Sequence, residues 1–216
     1  MAEIFRNFSP DVAGYLYMWA LMIAAVFAVA IMIERAIYIL GRSDINAEKF
    51  MGEIRKLVTA GKLEDALDLC LRAKDRALPK VVASGLRSVV NKQQVDFRSI
   101  QNAVDEGMLE VIPKLQARTN YLAMLANIAT LLGLLGTIYG LIIAFRSISA
   151  PGIDASEKAR LLAAGISTAM NTTLLGLFIA IPTIFAYTYL TNRTGKIIDE
   201  IDEHMVKLIN LLTGNR

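Results

Sequence analysis

Charge is absent from three long stretches of the chain, 12–33, 119–145 and 161–192, and dense between them. Each stretch exceeds the roughly 20 apolar residues that a helix needs to cross a hydrocarbon core about 30 Å thick. Lipid offers no partner for a free backbone N–H or C=O, so all three are expected to be helical spans. Elsewhere the pattern is amphipathic. Phe50, Ile54, Leu57 and Val58 share one helical face, and Gly61 can end that helix. Leu63, Ala66, Leu67, Cys70 and Leu71 form a second face opposite Glu64, Asp65, Asp68 and Arg72. Pro79 suits the first turn of a third helix over Lys80–Val90. From Val95 the apolar positions Phe97, Ile100, Val104, Met108, Val111 and Leu115 run on into the second span without a clear stop, and Pro113 is expected to kink that helix rather than end it. Beyond the third span, Ile197, Ile198, Ile201, Met205, Leu208, Ile209 and Leu212 line one side of a helix with acids opposite, a stripe that needs a partner.

The predicted architecture is an all-α membrane protein whose three transmembrane helices extend into a cytoplasmic helical bundle. Its expected segments are an N-terminal periplasmic stretch 1–11, span one within 12–40, a cytoplasmic domain 41–118, span two over 119–145, a periplasmic loop 146–160, span three over 161–192 and a cytoplasmic amphipathic helix 193–216. The orientation follows from the excess of basic residues on one side. Arg35, Arg42, Lys49, Lys114, Arg118, Arg193, Lys196 and Lys207 lie on the side assigned to the cytoplasm, against Arg6, Arg146, Lys158 and Arg160 on the other. The outer loop offers Asp154 or Ser156 as a cap for the next helix. The stretch before span one has no basic leader and no small-residue cleavage site, so span one is expected to be retained.

Composition sharpens this. The chain is 55% hydrophobic, above the roughly 45–50% of soluble domains. Trp19 sits inside the first stretch and is expected to pack rather than to mark a membrane interface. Glu34 and Arg35 arrive where the first helix leaves the bilayer, a place where long basic side chains reach the headgroups. The single cysteine, Cys70, falls on an apolar face and reads as a small core residue. His204, the single histidine, reads as a surface residue. No metal-ligand cluster, nucleophile–base set or phosphate loop is evident, so neither an enzyme, a cofactor nor a metal is expected. No basic patch interleaved with aromatics points to nucleic acid.

The candidate chemistry lies in spans two and three. Ala126, Ala129, Gly133, Gly136, Gly140 and Ala144 recur at three and four residues, and the stripe of span three is Gly165, Ala169, Thr172 and Thr173, Gly176 and Ala180. Such stripes let helices pack closely. Thr137 lies near the middle of span two, and Thr168, Asn171, Thr172 and Thr173 cluster near the middle of span three. They must face protein or a water-filled cavity, and both helix packing and a polar pathway remain open for them. Pro182 removes one backbone bond from span three, either as a static kink or as a flexible point. No Asp, Glu, Lys, Arg or His lies within any span core, so an ion path through them needs a titrating group from another chain.

At this point the sequence resembles the MotA/TolQ/ExbB proton-channel family. The resemblance rests on the order of the spans, the IER at the end of span one, GLLGTIYGLIIAF at 133–145 and TTLLGLFIAIP at 172–182. Chain length points to the ExbB/TolQ branch, since MotA-type subunits have four spans. The resemblance implies a pentamer in a bacterial inner membrane, with the second and third helices around a pore. It also implies two copies of an ExbD-, TolR- or MotB-like single-span partner carrying a membrane aspartate, and an output such as outer-membrane import through a TonB-like protein. The pore-facing residues would then be Thr137 and Thr173. One departure is Thr168, which stands where ExbB-like relatives often carry a glutamate. Arg146 at the outer end of span two reads as an interfacial anchor or as a steering charge. A passive oligomeric scaffold docking partners on its cytoplasmic helices is the alternative, and a solute transporter is disfavoured by the lack of inverted repeats.

Overall fold

The computed structural model describes residues 8–9, 14–43, 45–73, 76–90, 96–149, 152 and 154–214, with 42 and 43 described by backbone alone. Arg6, Val95, most of the 1–11 segment and the side chain of Arg42 lie outside the described residues. Seven α-helices account for most of what is described: α1 Tyr15–Ala36, α2 Ala47–Thr59, α3 Leu63–Arg72, α4 Ala77–Val90, α5 Phe97–Gln116, α6 Thr119–Ile148 and α7 Ala155–Leu212. A π-helical turn, Ile37–Ser43, continues α1. The chain forms two compact units, Met1–Ile33 with Arg118–Thr188, and Glu34–Ala117 with Tyr189–Arg216.

The first unit contains α6 and the apolar parts of α1 and α7, helices long and apolar enough to cross a membrane. Its buried side chains are small or few: Leu21, Ala126, Ala129 and Ala180 form the shared core. Large apolar side chains point outward instead, Phe178 at 76% exposure and Phe185 at 75%. A water-soluble fold would hide these, whereas lipid or a second apolar chain accepts them. Trp19 differs from its expected packing role. It is exposed, its indole N–H donates to the Phe8 carbonyl at 3.3 Å, and its ring meets Phe8 edge-on. The helix begins only at Tyr15, so Trp19 stands in its second turn, near the end of the span.

The second unit is a helical core built by alternating faces. Ile54 on α2, Val81, Val82 and Leu86 on α4, Ile100 and Val104 on α5, and Ile201, Met205 and Leu208 on α7 are all buried. Asn46 caps α2 by accepting the Lys49 amide at 3.0 Å, and Gly61 turns the chain into α3 at φ +74°. The third amphipathic helix begins at Ala77, three residues earlier than expected, and Pro79 lies in its first turn. Cys70 is buried, and desolvation pushes its thiol up to about 12.

The largest departure from the sequence-based expectation is at Arg118. Helix α5 ends at Gln116 and α6 starts at Thr119, with Arg118 between them in the left-handed region at φ 60°. Pro113 lies inside α5, as expected, but the helix does not run on into the span. The break follows the pattern of a left-handed residue just past a helix end, a place usually held by glycine, which is why an arginine gave no signal.

Between α4 and α5, Glu110 accepts Lys80 Nζ at 2.5 Å and Lys114 Nζ at 2.7 Å. Hydrogen bonds from Lys114 and then Lys80 hold its carboxyl near 2, below the ordinary 4.5. The folded-state value is depressed, so this contribution is complete above pH 4.5 and is lost as the pH falls through about 2. Melting temperatures across that window are therefore expected to fall further for the wild type than for Glu110→Gln. Equal slopes in the two proteins would show that the bridge carries no pH-dependent stability.

Candidate functional site

The site is built where α6 and α7 come into backbone contact. A Cβ added at Gly176 would stand 2.7 Å from the Ala129 carbonyl oxygen, one at Gly140 2.9 Å from Ala169 Cβ, and one at Gly136 2.7 Å from Thr172 Oγ1. At Gly133 the nearest atoms, on Thr172 and Thr173, would lie at 3.2 Å. The glycines therefore let two helix backbones approach closer than any side chain would permit. This approach sets the position of the polar groups, because it brings the Gly133 carbonyl within reach of hydroxyls on the opposite helix.

Three threonines converge there. Thr137 Oγ1 lies 3.0 Å from the Gly133 oxygen within α6, and Thr173 Oγ1 reaches the same oxygen from α7 at 2.9 Å. The two hydroxyls are 2.6 Å apart. Two hydroxyl protons thus serve three contacts, since each threonine has one O–H and the carbonyl has none. Either both hydroxyls donate to the carbonyl, or one donates to the other, which donates to the carbonyl. The pair can therefore arrange its two protons in more than one way and keeps spare acceptor lone pairs. Both side chains are half-buried, so one side of the pair is open. It holds no charge of its own.

Thr172 is placed differently from its neighbours. It is 1% exposed, sits against Gly136, and donates to Ala169 O at 2.7 Å with Gly133 O at 3.4 Å. Its role is to fill the helix interface, and it lines no open face of this chain. Thr168 bonds back to Ala164 O at 3.0 Å, and Asn171 makes no side-chain hydrogen bond among the described residues. The expected polar cluster of span three is thus divided: Thr173 joins Thr137, Thr172 is enclosed, and Thr168 and Asn171 stand apart. Pro182 lies inside α7 and is exposed. Asn127 and Thr130 escaped the sequence reading, although Thr130 precedes Thr137 by seven residues and so shares its helical face, with Asn127 three residues before it. Both are exposed.

The family model described as the MotA/TolQ/ExbB proton channel family matches residues 73–203, which include both threonines, the glycine stripe and Pro182. The chain belongs to this family. An ExbB homologue of Methanothermobacter thermautotrophicus is 24% identical over 215 residues, covering 98% of this chain and 68% of the relative. Biopolymer transport protein exbB1 of Vibrio cholerae is 26% identical over 194 residues, 89% of this chain and 82% of the relative. The Tol-Pal system protein TolQ of Haemophilus influenzae is 32% identical over 101 residues, 47% of this chain and 43% of the relative. Among solved structures, a chain in the structure of C. jejuni MotAB matches with a TM-score of 0.67 at 16% identity, covering 91% of this chain and 76% of that one. That likeness shows the fold. As a MotA/TolQ/ExbB protein, the chain is a multi-pass membrane protein of a channel family and is not an enzyme.

Proposed function

We propose that this chain is the pore-lining subunit of a proton-driven motor. In this reading five copies surround two copies of a single-span partner, with the Thr137–Thr173 pair facing the partner helix. The partner brings an aspartate, which the charge-free stretches of this chain lack. The observation that carries the reading is the 2.6 Å hydroxyl pair on two close-packed helices whose apolar stretches hold no charge. An ion path in such a place needs polar groups that tolerate both protonation states of a visiting carboxyl. A protonated aspartate can donate to a threonine lone pair. Its anion can accept a hydrogen bond from a hydroxyl when one threonine turns away from the Gly133 carbonyl. Each charge crossing 100 mV releases about 2.3 kcal/mol, so several per cycle can drive rotation or displacement of the partner.

The proposal sets 41–118 and 193–216 in the cytoplasm, and the start of the chain and 146–160 outside, in a bacterial inner membrane. The names of the relatives support an output in envelope transport or maintenance, and a TonB-like protein would be one recipient of the work. The test uses Thr173→Val and Thr137→Val, which keep the branched shape and remove the hydroxyl. Reconstituted with the partner, each variant is expected to assemble normally by native mass spectrometry and to conduct protons about tenfold more slowly under an imposed potential. Thr173→Ser should conduct like the wild type. Normal proton flux in both valine variants would show that the pore lies elsewhere.

A further inference from the structure

Between the start of α6 and the hydroxyl pair, the helix carries polar side chains that its packing does not use. Thr130 stands seven residues before Thr137, Asn127 three before Thr130, and Asn120 seven before Asn127. Residues three and seven apart are neighbours on a helix surface, so the four form one continuous strip. Asn120, Asn127 and Thr130 are exposed, and none belongs to the buried face of α6. Thr130 satisfies its hydroxyl within its own helix, on the Ala126 carbonyl at 3.1 Å, and can face lipid. Asn127 has no such bond: its amide offers two donors and an acceptor, and it makes no side-chain hydrogen bond among the described residues. At 1.5 Å per residue Asn127 lies about 13 Å along the helix from Arg118, too far for so short a side chain to reach the end of the charge-free stretch. A bare amide at that depth is costly against hydrocarbon, so this face of α6 meets water or protein.

The strip is one-sided. Thr137 is nine residues from Arg146 and nineteen from Arg118, so the polar side chains lie along the longer way out. In the other direction, the residues four and eleven beyond Thr137 are Leu141 and Ile148. Gly140 meets Ala169 and Gly165 meets Ala144, so the part of α7 before Thr173 runs beside this part of α6. There the residues three and seven before Thr173 are Met170 and Ile166, both exposed and apolar. Neither helix offers water a hydrogen bond on these positions.

We propose that Asn127 and Thr130 line a water-filled path from the Thr137–Thr173 pair to the solvent at the start of α6, and that the opposite side of the pair is dry. The ion that uses this path is the one assigned by the proton-driven reading, on which the inference rests in that respect. Water held by the Asn127 amide gives a proton at the pair a way toward the start of α6. Toward Arg146 the proton travels only as part of the visiting carboxyl.

Single cysteines test the path, because a thiosulfonate reacts with the thiolate, which forms in water and not in lipid. The full chain carries Cys70→Ala, which removes its one native thiol. Asn120→Cys, Asn127→Cys, Thr130→Cys, Leu141→Cys and Met170→Cys are added one at a time, in sealed membrane vesicles of either orientation. A charged, membrane-impermeant methanethiosulfonate is applied, and intact mass counts the label. Asn120→Cys marks the side on which α6 starts. From that side Asn127→Cys and Thr130→Cys are expected to label about tenfold or more faster than Leu141→Cys and Met170→Cys. Proton flux with the partner is expected to fall about tenfold in Asn127→Leu/Thr130→Val. Absence of label at positions 127 and 130 from the Asn120 side, equal labelling at 141 and 170, or full flux in the double variant would overturn the proposal. A conducting wild type whose positions 127 and 130 stay unlabelled removes the path and leaves the proton-driven reading. The expected labelling in a chain whose wild type carries no protons supports the path and removes that reading.

Discussion

Valine at Gly176 is expected to prevent α6 and α7 from pairing, and so to remove the folded protein from the membrane. The Cβ it introduces would stand 2.7 Å from the Ala129 carbonyl oxygen and 3.1 Å from Gly133 Cα, both backbone atoms with no rotamer to change. The helices would have to separate, and the Thr137–Thr173 contact would open with them. Overpacking in a rigid core costs about 1–3 kcal/mol, and a clash against two backbones sits at or above the upper end. Alanine substitutions should follow the space available. Gly176→Ala is expected to be severe, while Gly133→Ala, whose nearest atoms would lie at 3.2 Å, should be milder. Gly195→Ala should run the other way, because nothing lies within 4 Å of its added Cβ and alanine favours a helix over glycine by up to about 1 kcal/mol. Thermal unfolding of the detergent-solubilised variants checks the order. Equal stability of Gly176→Ala and Gly195→Ala would contradict the close approach.

The same glycines explain why much of the fold could be read from the chain. In lipid the backbone must satisfy itself, so a charge-free stretch admits one structure, and the small-residue period then marks the face that meets a neighbour. Ala126, Ala129, Gly133, Gly136, Gly140 and Ala144 all lie on the buried face of α6. The site was legible only in part. That Thr137 and Thr173 would meet follows from no local pattern, because it depends on which turn of α6 faces which turn of α7. The resemblance singled out the two residues, and the structure supplied their contact and the shared carbonyl. Helix packing and a polar pathway were both open for Thr172, and it lies buried in the interface, against Gly136. Thr130 could have been found by extending the face of Thr137 backward by seven residues. The left-handed Arg118 could not, since that conformation past a helix end is usually held by glycine and an arginine gives no local signal for it.

Arg35 shows the same limit and carries the second large effect. A basic residue at the end of a span reads as one that reaches the headgroups, but here it is 3% exposed. Its Nη2 donates to the Lys114 carbonyl at 3.2 Å and to the Leu115 carbonyl, and its guanidinium lies 4.8 Å from the centre of the Tyr38 ring. The reason lies in the break at Arg118. Where α5 stops, its last carbonyls lose the amides that a continuing helix would offer, and a cation at a helix C-terminus meets both the acceptors and the dipole. Arg35 thereby ties the segment that follows span one to the segment that precedes span two. Arg35→Met keeps most of the apolar stem and removes the donors and the charge. It is expected to cost about 3 kcal/mol, from charge-assisted hydrogen bonds of roughly 1.5–3 kcal/mol and a cation–π contact of roughly 1 kcal/mol. Arg35→Lys should recover only part of this, because an ammonium offers no planar fork to serve two carbonyls while lying on a ring. Hydrogen exchange localises the effect: amides in the last turn of α5 should lose protection in Arg35→Met, while those of α2 keep theirs. If the last turn of α5 exchanged as in the wild type, the residue would be a passive buried cation, and the junction between the first two spans would be held by other contacts.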